Sequence, residues 1–202
     1  MIKMIAQVSN YTQSVDNTFI IVTGICVFFL LLITVLLVFF SIRYNKKRNP
    51  KALNIHGSTK LEVIWTIIPT LIVLYIFWIG WVDYKELANA PKDSMVIQAT
   101  ASMWQWKFTY SNGKVADTLY VPVNQNIKMK LNATDVDHSF YIPAFRIKRD
   151  AMPNTNNSTW FNAEKLGSYT LFCAEYCGLN HSKMITKLKV VSKEDFNNWL
   201  NK

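Results

Sequence analysis

Two thiols, an imidazole and a thioether fall within twelve positions: Cys173-Ala174-Glu175-Tyr176-Cys177-Gly178-Leu179-Asn180-His181-Ser182-Lys183-Met184. Soft thiolate and thioether donors combined with imidazole select copper or zinc. A zinc site would want four Cys or His ligands, and a thioether would be an odd addition to it. A second imidazole, His138, lies upstream in Thr134-Asp135-Val136-Asp137-His138-Ser139. It belongs to a different predicted strand, so folding must bring it to the loop. Two bridging thiolates, two imidazoles and one thioether suit two copper ions that share both sulfurs. Taken singly, each residue has an ordinary explanation, since a lone Met is usually core and a lone His is usually hydrogen-bonded. At this joint spacing, metal binding explains them better. Cys26 sits in an apolar run and reads as a small packing residue. A disulfide framework would need more cysteines at other spacings.

These residues need a scaffold, and the chain divides into parts that could supply one. It has 202 residues, half of them hydrophobic, with the apolar content concentrated in two early runs. Residues 1–17 form a short, mostly polar segment without the basic start and apolar core of a signal peptide. The span 18–82 reads as a transmembrane helix hairpin. Its first run, to about Ile42, and its second, Leu61 to Val82, are each long enough to cross a hydrocarbon core of roughly 30 Å. Pro69 inside the second run is tolerated in a membrane helix, and Trp78 and Trp81 suit an interface belt. Arg43, Lys46, Lys47, Arg48, Lys51 and Lys60 lie between the runs with no acidic residue among them. Such a loop is retained on the cytoplasmic side, which sends the C-terminal domain to the opposite compartment. Residues 83–94 read as a linker. Across 95–202, short stretches rich in β-branched and aromatic residues, separated by turn residues such as Ser111-Asn112-Gly113, predict a β-sandwich or barrel. Ser192 reads as the N-cap of a short terminal helix. The formal charge is +9, but no basic motif or aromatic ladder points to nucleic acid.

The motif C-x-E-x-C-x-x-x-H-x-x-M, preceded by Asp135-Val136-Asp137-His138-Ser139-Phe140-Tyr141-Ile142-Pro143, resembles the copper-site signature of subunit II of cytochrome c oxidases. The likeness covers nearly the whole chain. Leu61-Glu62-Val63-Ile64-Trp65-Thr66-Ile67-Ile68-Pro69 resembles the start of that family's second helix, and Met103-Trp104-Gln105-Trp106 its aromatic segment. The resemblance implies an all-β, cupredoxin-like Greek-key sandwich anchored by the two-helix hairpin. It implies a binuclear copper centre in which Cys173 and Cys177 bridge both ions. His138 and Met184 would complete one copper, and His181 with the backbone carbonyl of Glu175 the other. The Glu175 carboxylate would face a magnesium ion shared with the haem-bearing subunit I. Trp104 would be where electrons arrive from cytochrome c, and Asp135 a carboxylate of the docking surface. Glu62 would stand at the entrance of a proton channel, and Lys148 and Asp150 near a proton exit.

The implied role is the electron-input subunit of a proton-pumping oxidase that reduces oxygen to water. Its partners would be subunit I, other oxidase subunits, a cytochrome donor and the lipid bilayer. A bacterial inner membrane, with the domain on the periplasmic side, is favoured over a mitochondrial one. Two other readings stay open: the copper subunit of a nitric oxide reductase, and a membrane-tethered copper carrier. The sequence departs from the family at Ala101-Ser102-Met103 and at Ala151-Met152-Pro153-Asn154. From Asp83 onward, 15 Lys and Arg stand against 11 Asp and Glu, about +4 net. A basic cytochrome c favours an acidic docking patch, so the donor expected here is acidic or membrane-bound.

Overall fold

The computed structural model describes residues 8–51, 54 and 56–202. Parts of the N-terminal segment and of the basic loop lie outside the described residues. The chain forms two compact units, one of residues 16–82 and one joining the first 15 residues to 83–202.

The first unit is built on two apolar helices, α1 (Thr12–Arg43) and α2 (Thr59–Ala88). Both are long and apolar enough to cross a membrane. Their large side chains are exposed all round, as suits helices surrounded by lipid. Thr70 lies just after the proline of α2, and its hydroxyl donates to the carbonyl of Thr66 at 2.6 Å. Both helices outrun the apolar stretches. α2 continues through 83–88, read from sequence as linker, because Asp-Tyr-Lys-Glu-Leu-Ala offers helix formers without a breaker. Its final turn belongs to the second unit, where Trp160 Nε1 donates to the Glu86 carbonyl at 3.0 Å. α1 starts at Thr12, inside the segment read as preceding the helix. Its start is fixed by Ser9, which bridges to Ala163 and whose hydroxyl donates to the Phe145 carbonyl at 3.1 Å. Tyr11 meets Trp160 edge-to-face at 5.2 Å.

The second unit is a sandwich of two five-stranded sheets. In chain order the strands are β1 (Met95–Ser102), β2 (Gln105–Thr109), β3 (Val115–Ala116), β4 (Leu119–Pro122) and β5 (Asn126–Ala133), then β6 (His138–Ile142), β7 (Ile147–Ala151), β8 (Asn157–Asn162), β9 (Gly167–Cys173) and β10 (Ile185–Val191). One sheet runs β3-β2-β1-β5-β8 and the other β4-β10-β9-β6-β7. Alternation writes the core. Ile97, Ala99 and Ala101 of β1 and Ile127, Met129 and Leu131 of β5 turn inward, while residues between them face out. They meet Phe140, Ile142, Leu171 and Leu188 of the other sheet, giving one continuous buried cluster. Phe145 fits edge-to-face against Phe161 and Tyr169, at 5.3 and 5.1 Å. The terminal helix α3 (Lys193–Leu200) starts where Ser192 Oγ accepts from Asp195 N at 3.0 Å, and it places Trp199 flat on Tyr120.

Candidate metal centre

Three pieces of backbone meet at one end of the sandwich. β6 opens with His138 and β9 closes with Cys173, and the two strands are antiparallel neighbours with Phe140 opposite Cys173. The loop after β9 carries Cys177, then a single 3-10 turn at His181–Lys183 ending on Met184. That loop is closed by backbone bonds: Cys173 N donates to Met184 O at 3.1 Å and Ala174 N to Ser139 O at 3.0 Å.

The donor atoms converge. Cys173 Sγ is 3.7 Å from Cys177 Sγ, and both cysteines are free thiols. His138 Nδ1 stands 3.7 Å from Cys173 Sγ, and the Glu175 carbonyl 3.2 Å from the same sulfur. His181 Nδ1 is 3.5 Å and Met184 Sδ 3.9 Å from Cys177 Sγ. His138, Cys173, Cys177 and Met184 are buried and His181 is half-buried. Donors of His138, Cys173 and Cys177 all lie within 4.8 Å of one another. Burial, together with the nearby Cys173 thiol, pushes the Cys177 thiol up to about 12 in the metal-free protein. Loading a metal must therefore release that proton, so binding strengthens as pH rises. A cluster of soft sulfur and imidazole donors, desolvated and without a disulfide, fits a thiophilic metal.

Asp135 was expected at the docking surface. The residue is exposed, its side chain 23% so, and its carboxylate is at the same time tied into the site by hydrogen bonds. Oδ2 accepts from Met103 N at 2.6 Å, while Oδ1 accepts from Val136 N at 2.8 Å and lies 2.9 Å from His138 Nε2. Partial desolvation raises its pKa, but the bonds from Met103, His138 and Val136 outweigh it and hold the carboxyl below its usual range. With Nε2–H directed at Asp135, the lone pair of Nδ1 is left for a metal. Asp135→Asn must set its amide N–H against either the Met103 N–H or the Val136 and His138 N–H groups, and its neutral oxygen is a weaker acceptor than the carboxylate, so this orientation weakens. Copper affinity of the variant, measured by chelator competition, should fall about 10–100-fold. Unchanged affinity would deny Asp135 this positioning role.

Trp104 sits in the tight connection between β1 and β2, half-buried, and its Nε1 donates to the Cys177 carbonyl at 3.1 Å. Gly178, at φ +111°, packs under the indole, where an added Cβ would stand 3.4 Å from the ring. The Glu175 carboxylate lies 3.9 Å from Lys148 Nζ. Lys148 and Ser139 donate to Asp150 at 2.9 and 2.7 Å and hold its carboxyl below the usual range. Glu62 belongs to the other unit, in the first turn of α2. The sequence reading missed Trp106. Its buried ring meets His138 edge-to-face at 6.4 Å and Phe140 at 5.8 Å. Alternation from Trp104 was the available signal, since Trp106 falls on the inward phase of β2.

Fold and site define a class: a cupredoxin-like sandwich that carries a cluster of cysteine and histidine side chains able to hold a metal and follows two membrane-length helices. The comparisons narrow it. Residues 77–191 match the family described as cytochrome c oxidase subunit II, periplasmic domain, and residues 5–79 its transmembrane domain. The chain belongs to the cytochrome c oxidase subunit II family. It is therefore a membrane-anchored protein with an extramembrane C-terminal domain. A probable cytochrome c oxidase subunit 2 of Rickettsia bellii is 30% identical over 82% of this chain and 70% of its own length. One from Rickettsia prowazekii is 32% identical over 82% of this chain, which spans only 60% of that relative. The cytochrome c oxidase subunit 2 of Cyberlindnera mrakii is 33% identical over 85% of this chain and 81% of its own. The periplasmic domain of subunit II of the Bradyrhizobium japonicum oxidase superposes with a TM-score of 0.53 at 34% identity, covering 56% of this chain and 95% of that one. A subunit II caught in a mixed disulfide with a thioredoxin-like protein gives 0.50 at 35% identity, over 56% of this chain and 93% of its own.

Proposed function

We propose that the chain is the electron-input subunit of a haem–copper oxidase, holding a binuclear copper centre on the periplasmic face of a bacterial inner membrane. The observation that carries this reading is the placement of donors around the two sulfurs. Cys173 has His138 and the Glu175 carbonyl beside it, and Cys177 has His181 and Met184. Each sulfur thus touches one donor of each expected ligand set, as a bridging thiolate requires. When bound, the copper pair supplies one-electron acceptance and donation.

The protein's own residues do the rest. The β6–β9 ladder and the backbone bonds of the loop hold the donors rigidly, which limits the rearrangement each electron transfer demands. Trp104 offers a partly exposed indole one hydrogen bond from the Cys177 backbone, a short route from a docked cytochrome to the sulfur. Electrons would then pass to haem in subunit I, where oxygen is reduced to water with proton pumping. Glu175 presents a hard carboxylate outside the soft cluster, suited to magnesium at the boundary with subunit I. Glu62, at the helix start, would serve proton uptake. The thioredoxin-like protein bound to a similar subunit supports a reductant of that class keeping Cys173 and Cys177 as thiols before loading.

The test is copper analysis and electron paramagnetic resonance of the full-length chain, with gas uptake by the purified complex. Two coppers per chain, a seven-line mixed-valence pattern and oxygen consumption are expected. A four-line single-copper pattern would overturn the binuclear assignment. Nitric oxide turnover without oxygen turnover would move the chain to the reductase reading. Ready loss of copper to a chelator, without mixed valence, would favour the carrier.

A further inference from the structure

The sheet β3-β2-β1-β5-β8 contains no aspartate or glutamate in any of its strands. Its outward face carries three lysines: Lys107 on β2, and Lys128 and Lys130 on β5. The register fixes this placement. Lys107 pairs with Thr100, Lys128 with Val96 and Lys130 with Gln98, and all three β1 partners lie on the phase opposite to buried Ile97, Ala99 and Ala101. Among the described residues, no hydrogen bond or ion pair engages any of the three ammonium groups. On the other sheet, Lys187 Nζ donates to Thr170, Lys189 Nζ to the Tyr120 hydroxyl, and Lys148 Nζ to Asp150. Carboxylates border the face without lying on it. Asp93 accepts from Asn126 at one end, and Asp135 and Asp137 follow β5 at the other.

Two features connect this cationic face to the redox end. Lys107 is three residues from Trp104 on the same hairpin. A groove of about 990 Å³ runs over Lys128 and Lys130 to Thr134, one residue before the aspartate that binds Met103 N. That aspartate spends both oxygens on internal bonds, which weakens it as an anchor for a basic partner. Three unpaired cations, spaced along the face from Lys107 at the end near the half-exposed tryptophan to Lys128 opposite Val96, create a positive field that steers an anionic protein.

From this charge placement we propose that the outer face of the sheet is the docking surface for an acidic c-type cytochrome, whose acidic rim sits on Lys107, Lys128 and Lys130 while its haem edge meets Trp104. The proposal rests on the electron-input reading and names the donor class for that site.

The experiment uses the purified oxidase complex with the full chain. Turnover is measured with an acidic cytochrome c, with a basic one, and with ascorbate plus tetramethyl-p-phenylenediamine, a small reductant that needs no docking. With the acidic cytochrome, kcat/KM should fall about tenfold as salt rises from roughly 10 mM to 200 mM. The Lys107→Glu, Lys128→Glu, Lys130→Glu triple variant should lose at least about tenfold at low salt with that donor and improve with the basic one. The single Lys107→Gln change should give a smaller loss of the same sign. Full copper content and unchanged turnover with the small reductant establish that the variants are folded. A flat salt dependence with the acidic donor, or no response to charge reversal, overturns the proposal while small-reductant turnover stands. A variant altered only in its activation by anionic phospholipid vesicles assigns the lysines to lipid headgroups and also overturns it. Wild-type complex that the small reductant cannot drive sinks the electron-input reading itself.

Discussion

Cys177→Ser should leave a folded chain that no longer holds two coppers, with cytochrome-driven oxygen turnover down by more than about 100-fold. Cys177 Sγ is the junction of the site, with Cys173 Sγ at 3.7 Å, His181 Nδ1 at 3.5 Å and Met184 Sδ at 3.9 Å. A serine hydroxyl is a hard donor that does not ionise near neutral pH, so it cannot replace a bridging thiolate. Changes to groups that merely orient ligands cost about 10–100-fold in affinity or activity, and loss of a shared ligand should exceed that range. The fold should tolerate the change, since the hydroxyl can reach His181 as a hydrogen-bond partner. Copper analysis and paramagnetic resonance report the metal, and circular dichroism reports the fold. Two coppers and unaltered turnover in the variant would remove the bridging assignment.

Phe140→Ala should destabilise the sandwich by about 3–5 kcal/mol, the usual cost of deleting a buried phenylalanine ring. Phe140 is fully buried and meets Trp106 edge-to-face at 5.8 Å. It also stands opposite Cys173 in the β6–β9 ladder, two residues after His138. The cavity would open beneath the His138–Cys173 contact, so weaker copper binding should accompany the lost stability. Denaturant unfolding of the metal-free, detergent-solubilised chain gives the first quantity and chelator competition the second. A stability change below about 1 kcal/mol would show that the ring is not a core element.

The two effects have different origins. Serine removes an electronic property at one atom and leaves packing nearly intact. Alanine removes volume and disturbs the site through the strands that carry it. A Cys177→Ser variant with large instability, or a Phe140→Ala variant with full stability and no copper, would reverse that division.

The chemistry of the metal loop was written locally. Cys173, Cys177, His181 and Met184 lie within one short connection, so their spacing alone limits how far apart their donors can be. The two membrane-length helices were equally legible, because a run of apolar residues needs no tertiary partner to declare itself. Strand alternation announced the sandwich, and Ser192 marked the start of α3 before any packing was known.

Everything that depends on register had to wait for the tertiary structure. His138 reaches Cys173 across 35 positions only because β6 pairs with β9 with Phe140 opposite Cys173. Asp135 reads as a surface carboxylate, and only the fold shows that it also bonds His138 and Met103 N. The last turn of α2 is tied to Trp160, and Ser9, just before Thr12, is tied to Ala163 and Phe145, all partners far away in sequence. Lys107, Lys128 and Lys130 became one face when β1 paired antiparallel with β2 and parallel with β5. Covalent spacing limits separations within a loop, whereas a hydrogen-bonded ladder sets which distant residues become neighbours.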